Sequence, residues 1–149
     1  MALRIYMDAC ALNRLVDDQS QLRIRREAEA VEEIFALIQA GRLRWIAGAV
    51  LEAEIMRTPD RQRREDIFSL LRFADELPGL SPQAISRAAM LEQAGYGAFD
   101  ALHLAVAEES RADVLLTTDD RFLRQANRGR GKPAVPLMNP LNWVQAGKP

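Results

Sequence analysis

The sequence predicts an α/β fold built on a largely parallel sheet. Three observations carry this reading. Short apolar runs of strand character recur along the chain, stretches of helical periodicity separate them, and acidic residues stand where the runs end. In order, Leu3-Arg4-Ile5-Tyr6-Met7 alternates as a strand does, and Asp8 closes it before the helix-compatible Ala9-Cys10-Ala11-Leu12. Residues 21–40 read as a long helix, with Ala28, Val31, Ile34, Phe35 and Ile38 at helical spacing and Gly41 as C-cap. Residues 43–47 form a second strand, left through Gly48. A helix over 50–56 follows, then Thr58-Pro59-Asp60 breaks the chain, and Asp60 caps a helix over 61–74. Leu77-Pro78-Gly79-Leu80-Ser81-Pro82 is a connector with room for a very short strand. Ser81 caps and Pro82 opens the next helix, to residue 94. Beyond Gly95-Tyr96-Gly97, a helix spans 98–109, and Val114-Leu115-Leu116-Thr117 is the most strongly buried strand. A short helix over 122–127 leads to a basic, mobile-looking loop, Gly129-Arg130-Gly131-Lys132-Pro133. Residues 135–138 make a last strand, placed at a sheet edge by Pro136.

With 149 residues and no internal repeat or linker composition, the chain is expected to form one domain, residues 1–149. No apolar run approaches the roughly 20 residues that span a bilayer, and the N-terminus lacks a signal-peptide pattern. Cys10 is the only cysteine, so an internal disulfide is excluded, and a reducing cytoplasmic setting is expected. Twenty Lys and Arg against 21 Asp and Glu leave the charge near zero, so any nucleic-acid face must be local. The arginines do cluster, at Arg23, Arg25 and Arg26, at Arg57, Arg61, Arg63 and Arg64, and at Arg128, Arg130 and Lys132. Such runs serve either as solvated helix faces or, beside an acidic crevice, as holders of RNA phosphates.

In a parallel sheet the acids gather. Asp8 ends the first strand and Asp119 follows the 114–117 strand, so both stand at the carboxyl edge, with Asp120 the adjacent alternate. Helices that cross back to a parallel strand start at that same edge. This brings in Asp100 and one of Glu52 and Glu54, which lie about 200° apart on their helix and so face opposite ways. Carboxylates held together raise one another's pKa unless a cation lies among them. An all-oxygen donor set without paired His or Cys favours Mg²⁺ or Mn²⁺ and suits metal-assisted phosphoryl hydrolysis. Each acid also has a plainer reading: Asp8 and Asp119 as helix caps, Asp100 as a first-turn acid favoured by the helix dipole, and the glutamates as solvated helix formers.

Four stretches, Ile5-Tyr6-Met7-Asp8 with Ala11-Leu12-Asn13, Val50-Leu51-Glu52-Ala53-Glu54-Ile55, Phe99-Asp100-Ala101-Leu102-His103-Leu104-Ala105 and Leu116-Thr117-Thr118-Asp119-Asp120-Arg121-Phe122, give the chain its family likeness. In order and spacing it resembles the PIN-domain proteins, in particular VapC-type toxin ribonucleases. The resemblance implies a three-layer α/β/α sandwich with a mainly parallel central sheet. It implies Asp8, Glu54, Asp100 and Asp119 as metal-binding catalytic acids, with Glu52 and Asp120 as alternates and Thr117 as a polar helper. It also implies a Mg²⁺- or Mn²⁺-dependent endoribonuclease acting on RNA, frequent homodimers and, for toxins, an inhibitory antitoxin. Glu54 is preferred to Glu52 because the family's glutamate is usually followed by an aliphatic residue, here Ile55. The Thr and Asn that often follow the first Asp are replaced by Ala9 and Cys10. That loss of two polar groups supports a rival reading, a catalytically silent PIN-like domain that binds RNA or protein. The Arg-rich 57–74 region leaves room for a relative that is not a toxin.

A dehalogenase-type phosphatase needs a second Asp two residues after Asp8, where Cys10 stands, and a receiver domain needs an acidic pair near the first strand and a lysine after the last, neither of which the chain matches convincingly. His103, the only histidine, is expected to be structural. Cys10 is expected to be a small buried hydrophobe, and Trp45 and Trp143 to be core residues.

Overall fold

The computed structural model describes residues 2–147. Four strands, β1 (Leu3–Met7), β2 (Leu43–Ile46), β3 (Val114–Leu116) and β4 (Leu137–Met138), pair in the order β2-β1-β3-β4, every pair parallel. β1 is central: Ile5 is in register with Trp45 on one side and Val114 on the other. Parallel strands are joined by crossovers, and seven helices supply them among the described residues: α1 (Ala9–Asn13), α2 (Leu22–Gln39), α3 (Ala49–Met56), α4 (Arg61–Ser69), α5 (Pro82–Gln93), α6 (Ala98–Glu109) and α7 (Asp120–Asn127), while an eighth, α8 (Pro140–Gln145), follows β4.

Strand alternation divides the core in two. Ile5, Met7, Trp45, Val114 and Leu116 face a cluster with α1, α2, Ile67 of α4 and Trp143 of α8. Tyr6, Ile46, Leu115 and Leu137 face the other, with Ala84, Leu91, Leu104 and Phe122 from α5, α6 and α7. Both faces are covered, which explains why the strands read as apolar and makes the fold the expected three-layer sandwich. Trp45 and Trp143 are buried as anticipated.

Several boundaries differ from the sequence reading, each for a local reason. The helix expected over 61–74 stops at Ser69 and tightens into a 3₁₀ turn, Leu70–Phe73. The chain must then extend because it runs along the outer edge of β2. Asp75 and Glu76 N–H donate to the Trp45 carbonyl (2.9 and 3.2 Å), Ala47 N–H donates to the Glu76 carbonyl (2.9 Å), and the Asp75 carboxylate accepts from Trp45 N–H (2.8 Å). The short strand anticipated within 77–82 is therefore a single parallel bridge one residue earlier, Ile46 to Glu76. At the other edge β4 begins only at Leu137, since Pro136 has no N–H to give and contributes only its carbonyl, to Leu115 N–H (2.9 Å). Helix α8 was not anticipated, although Asn139 caps it through Leu141 N–H (2.8 Å) and Pro140 opens it.

The basic loop is tied down rather than mobile. Tyr96 Oη donates to the Arg130 carbonyl (2.8 Å), Arg87 Nη2 to those of Gly131 (2.8 Å) and Lys132 (3.2 Å). Gly131 sits at φ +67°, and a Cβ there would lie 2.8 Å from Leu91 Cδ2, so only glycine fits that turn against α5.

One buried acid organises the α2 layer. Glu27, 2% exposed, accepts from Arg14 Nε (2.8 Å), from Arg23 Nε (3.3 Å) and from the Asn139 amide. Replacing Glu27 with Ala strands these donors. The expected loss is about 3 kcal/mol of unfolding free energy, read by urea denaturation. A loss below ~1 kcal/mol would show that water replaces the carboxylate without penalty.

Candidate active site

The site is built from strand ends outward. Because β1 and β3 are adjacent and parallel, the residues that follow them, Asp8 and Thr117, emerge side by side. Both are buried, and Thr117 Oγ1 donates to Asp8 Oδ2 at 2.5 Å. Asp8 Oδ1 accepts from Ala11 N–H (3.0 Å), so the acid also caps α1. Thr117 Oγ1 in turn accepts from Asp119 N–H (3.1 Å), and Asp119 Oδ1 caps α7 through Arg121 and Phe122 N–H (2.9 and 3.2 Å).

The third acid comes from α3. Gly48 starts that helix with a turn so close to the connector that a Cβ would lie 2.9 Å from the Pro78 carbonyl. Glu54 then reaches the edge: its Oε1 accepts from Ala9 N–H (3.1 Å) and lies 2.8 Å from His103 Nε2. His103, fully buried on α6, has its Nδ1 2.6 Å from the Tyr6 hydroxyl. Tyr6, His103 and Glu54 thus form a line running from the α5/α6 core to the acidic edge. That the lone histidine would be bonded to Glu54 was not anticipated. The available signals were the alternation that puts Tyr6 on the opposite face of β1 from Ile5 and Met7 and the three-residue spacing between Asp100 and the lone histidine. Glu52 is exposed, and Asp120 is bound by Arg23 at 2.8 and 2.9 Å, so neither alternate belongs to this group.

Asp100 occupies the first turn of α6, partly buried, with no hydrogen bond among the described residues. Burial and then the charges of Asp8 and Asp119 push its carboxyl up to about 7, against a smaller opposing pull from His103. Asp8 rises to about 6, mainly through burial, with His103 and the Thr117 hydrogen bond opposing. Burial also acts to raise Glu54, but the His103 hydrogen bond and charge outweigh it and hold this carboxyl below its ordinary value. For His103 burial lowers the pKa, and the pairing with Glu54 and the charges of Asp8 and Asp100 more than reverse that. Cys10 is exposed at the rim rather than buried, because the first turn of α1 turns this position away from the core. Desolvation at the crowded edge and the charges of Asp8, Glu54, Asp119 and Asp100 push its thiol up, which opposes a reactive thiolate.

A PIN domain family model matches residues 5–128. The chain belongs to the PIN domain family. Among solved structures, this PIN domain is similar to FitAcB from Neisseria gonorrhoeae (12% identity, 91% of this chain and 97% of that chain covered, TM-score 0.60). It is also similar to VapBC2 from Rickettsia felis bound to a DNA fragment from their promoter (13%, 92% and 98%, 0.61) and to PAE2754 from Pyrobaculum aerophilum (18%, 97% and 90%, 0.55). At such identities the likeness is one of fold. The search of curated proteins returned no match.

As a place for a divalent cation, the donor set of this PIN domain has the right chemistry: all oxygen, with Glu54 Oε2, Asp119 Oδ2 and both Asp100 oxygens free of hydrogen bonds among the described residues. No three or more His, Cys, Asp or Glu side chains among the described residues converge tightly enough to hold an ion as they stand. Ala9 and Cys10 bring no side-chain oxygen to this edge, and the contact Ala9 makes there is through its backbone N–H, to Glu54 Oε1.

Burial, with the crowding of the charges second, sets a pH dependence. Asp8 and Asp100 titrate above their unfolded value of about 4, so between about pH 4 and 7 the folded protein holds more protons than the unfolded chain and stability falls as pH rises. The raised His103 acts in the same sense: its contribution is full below about pH 6.5 and is lost as pH rises through the folded value. The depressed Glu54 acts oppositely, only below about pH 4.5. In chelator, the protein is expected to melt higher at pH 5 than at pH 8, and Asp100→Asn is expected to raise the melting temperature at pH 8 by a few degrees. A wild-type protein that melts higher at pH 8 would contradict the burial and repulsion assigned to these carboxyls.

Proposed function

We propose that this PIN domain is a metal-dependent endoribonuclease whose catalytic acids are Asp8, Glu54, Asp100 and Asp119. The observation that supports it most is the gathering of these carboxylates from four separate segments at one sheet edge, with Asp8 fixed by Thr117 and Glu54 fixed by His103. PIN domains are generally nucleases. Asp8, Glu54, Asp100 and Asp119 would hold Mg²⁺ or Mn²⁺, which when bound would supply Lewis-acid activation of water and charge neutralisation at the phosphodiester. The chain's own groups prepare the site. The Thr117 hydroxyl and Ala11 N–H hold the two Asp8 oxygens in one orientation, and the buried His103 ring fixes Glu54 Oε1 and leaves Oε2 free. The unpaired, repelled Asp100 carboxylate is the group that gains most from a nearby cation. The resemblance to VapC-type ribonucleases extends the proposal to a toxin role with an antitoxin partner, homodimers and a cytoplasmic setting. A silent binding domain is the second reading, favoured by the absence of a closed three-acid cluster among the described residues and by Ala9 and Cys10.

Cleavage of a mixed structured RNA pool is the test, with Mg²⁺, with Mn²⁺ and with EDTA. Asp8→Asn and Asp100→Asn are each expected to abolish metal-dependent cleavage while the fold is retained by circular dichroism. Glu54→Gln should cripple the enzyme and Glu52→Gln should not. Wild-type rates in Asp8→Asn, or no cleavage by folded wild type with metal present, would decide for the silent domain.

A further inference from the structure

The arginines of this PIN domain divide into two groups. Arg14, Arg23, Arg63 and Arg87 are committed to structural carboxylates at 2.7–2.8 Å. Arg121, Arg124 and Arg128 are not: all three are exposed, and among the described residues none makes a hydrogen bond or ion pair through its guanidinium. They recur at i, i+3 and i+7 along α7 and its C-cap, which aligns them in one stripe while Phe122 and Ala126 are buried. The one carboxylate within the helix, Asp120, feels Arg124 at longer range, but both its oxygens are bound by Arg23.

The position of this stripe matters more than its charge. Helix α7 is capped by Asp119, so the stripe starts at the acidic edge and runs about 10 Å away from it, the length of two or three stacked nucleotides. It leads into the Gly129–Lys132 loop, whose backbone is held by Tyr96 and Arg87 while the Lys132 side chain is exposed. The charges therefore ride on a fixed backbone, so binding a polyanion there orders side chains but not the main chain.

We propose that the Arg121–Arg124–Arg128 stripe, with the anchored loop beyond it, is the surface along which the RNA backbone enters the acidic edge. This rests on the nuclease reading above. A strand whose scissile phosphate lies at the four acids has its next phosphates over α7, where unpaired guanidinium groups meet them and the repulsion of the acidic edge is left behind.

The test uses full-length protein carrying Asp8→Asn, so that RNA is not consumed, and a short fluorescein-labelled single-stranded RNA of mixed sequence read by anisotropy. Arg121→Gln, Arg124→Gln and Arg128→Gln are each expected to weaken binding several-fold. Together they should weaken it about 100-fold at ~0.1 M salt and flatten the log–log salt slope by about 0.7 per arginine. Arg42→Gln, an exposed charge before β2 at the opposite sheet edge, is the control and should have no such effect. In the cleaving protein, the triple variant should raise KM far more than it lowers kcat. Wild type that cleaves RNA, beside a triple variant with unchanged KM and salt slope, would overturn the stripe and leave the nuclease standing. An effect of Arg42→Gln as large as those on α7 would also overturn it. Protein that neither binds nor cleaves RNA would remove both.

Discussion

The buried hydrogen bond from Thr117 to Asp8 is the fixed point of the molecule. It exists because β1 and β3 are parallel neighbours that end together, and both of its groups are buried. From Asp8 the rest of the edge can be placed: Ala11 binds its other oxygen, Ala9 next to it binds Glu54, and Asp119 hangs from Thr117. Asp100 alone lacks such a tether among the described residues. Three of the four acids are thus tethered, and α6 contributes both the anchored His103 and the untethered Asp100.

Helix capping and site building are here the same act. Asp8 and Asp119 both satisfy free N–H groups at helix starts, which is the plain role each had on sequence grounds, and both also stand in the acidic group. The two readings were never exclusive, since a parallel sheet puts the beginnings of its crossover helices where its strands finish. The line from Tyr6 through His103 to Glu54 adds a link from the far core, so repacking around α5 and α6 reaches the edge without touching an acid.

What the sequence disclosed depended on range. Strand alternation at Leu3–Met7, the caps at Ser81 and Asp60, and Gly41 beyond α2 are local signals, and they placed elements to within a residue or two. The choice of Glu54 over Glu52 rested on family likeness, and the geometry that brings Glu54 to Ala9 N–H is a contact across 45 positions that no local pattern encodes. The failures share this cause. The 3₁₀ turn after Ser69 answers to hydrogen bonds with β2, and Glu27 reads as a surface residue of a charged helix until Arg14 and Asn139 arrive from far along the chain. Cys10 was misjudged because its composition suggested a core while its turn of helix points outward.

Asn139 carries a consequence for where this unit ends. The family match stops at residue 128, yet the side chain that closes over Glu27 and the Trp143 ring that completes the α2 core both lie beyond it. A chain trimmed to the matched span would lose the outer strand as well and leave a buried carboxylate facing solvent on one side. The family match thus bounds sequence likeness, while the packing around α2 continues to Asn139 and Trp143.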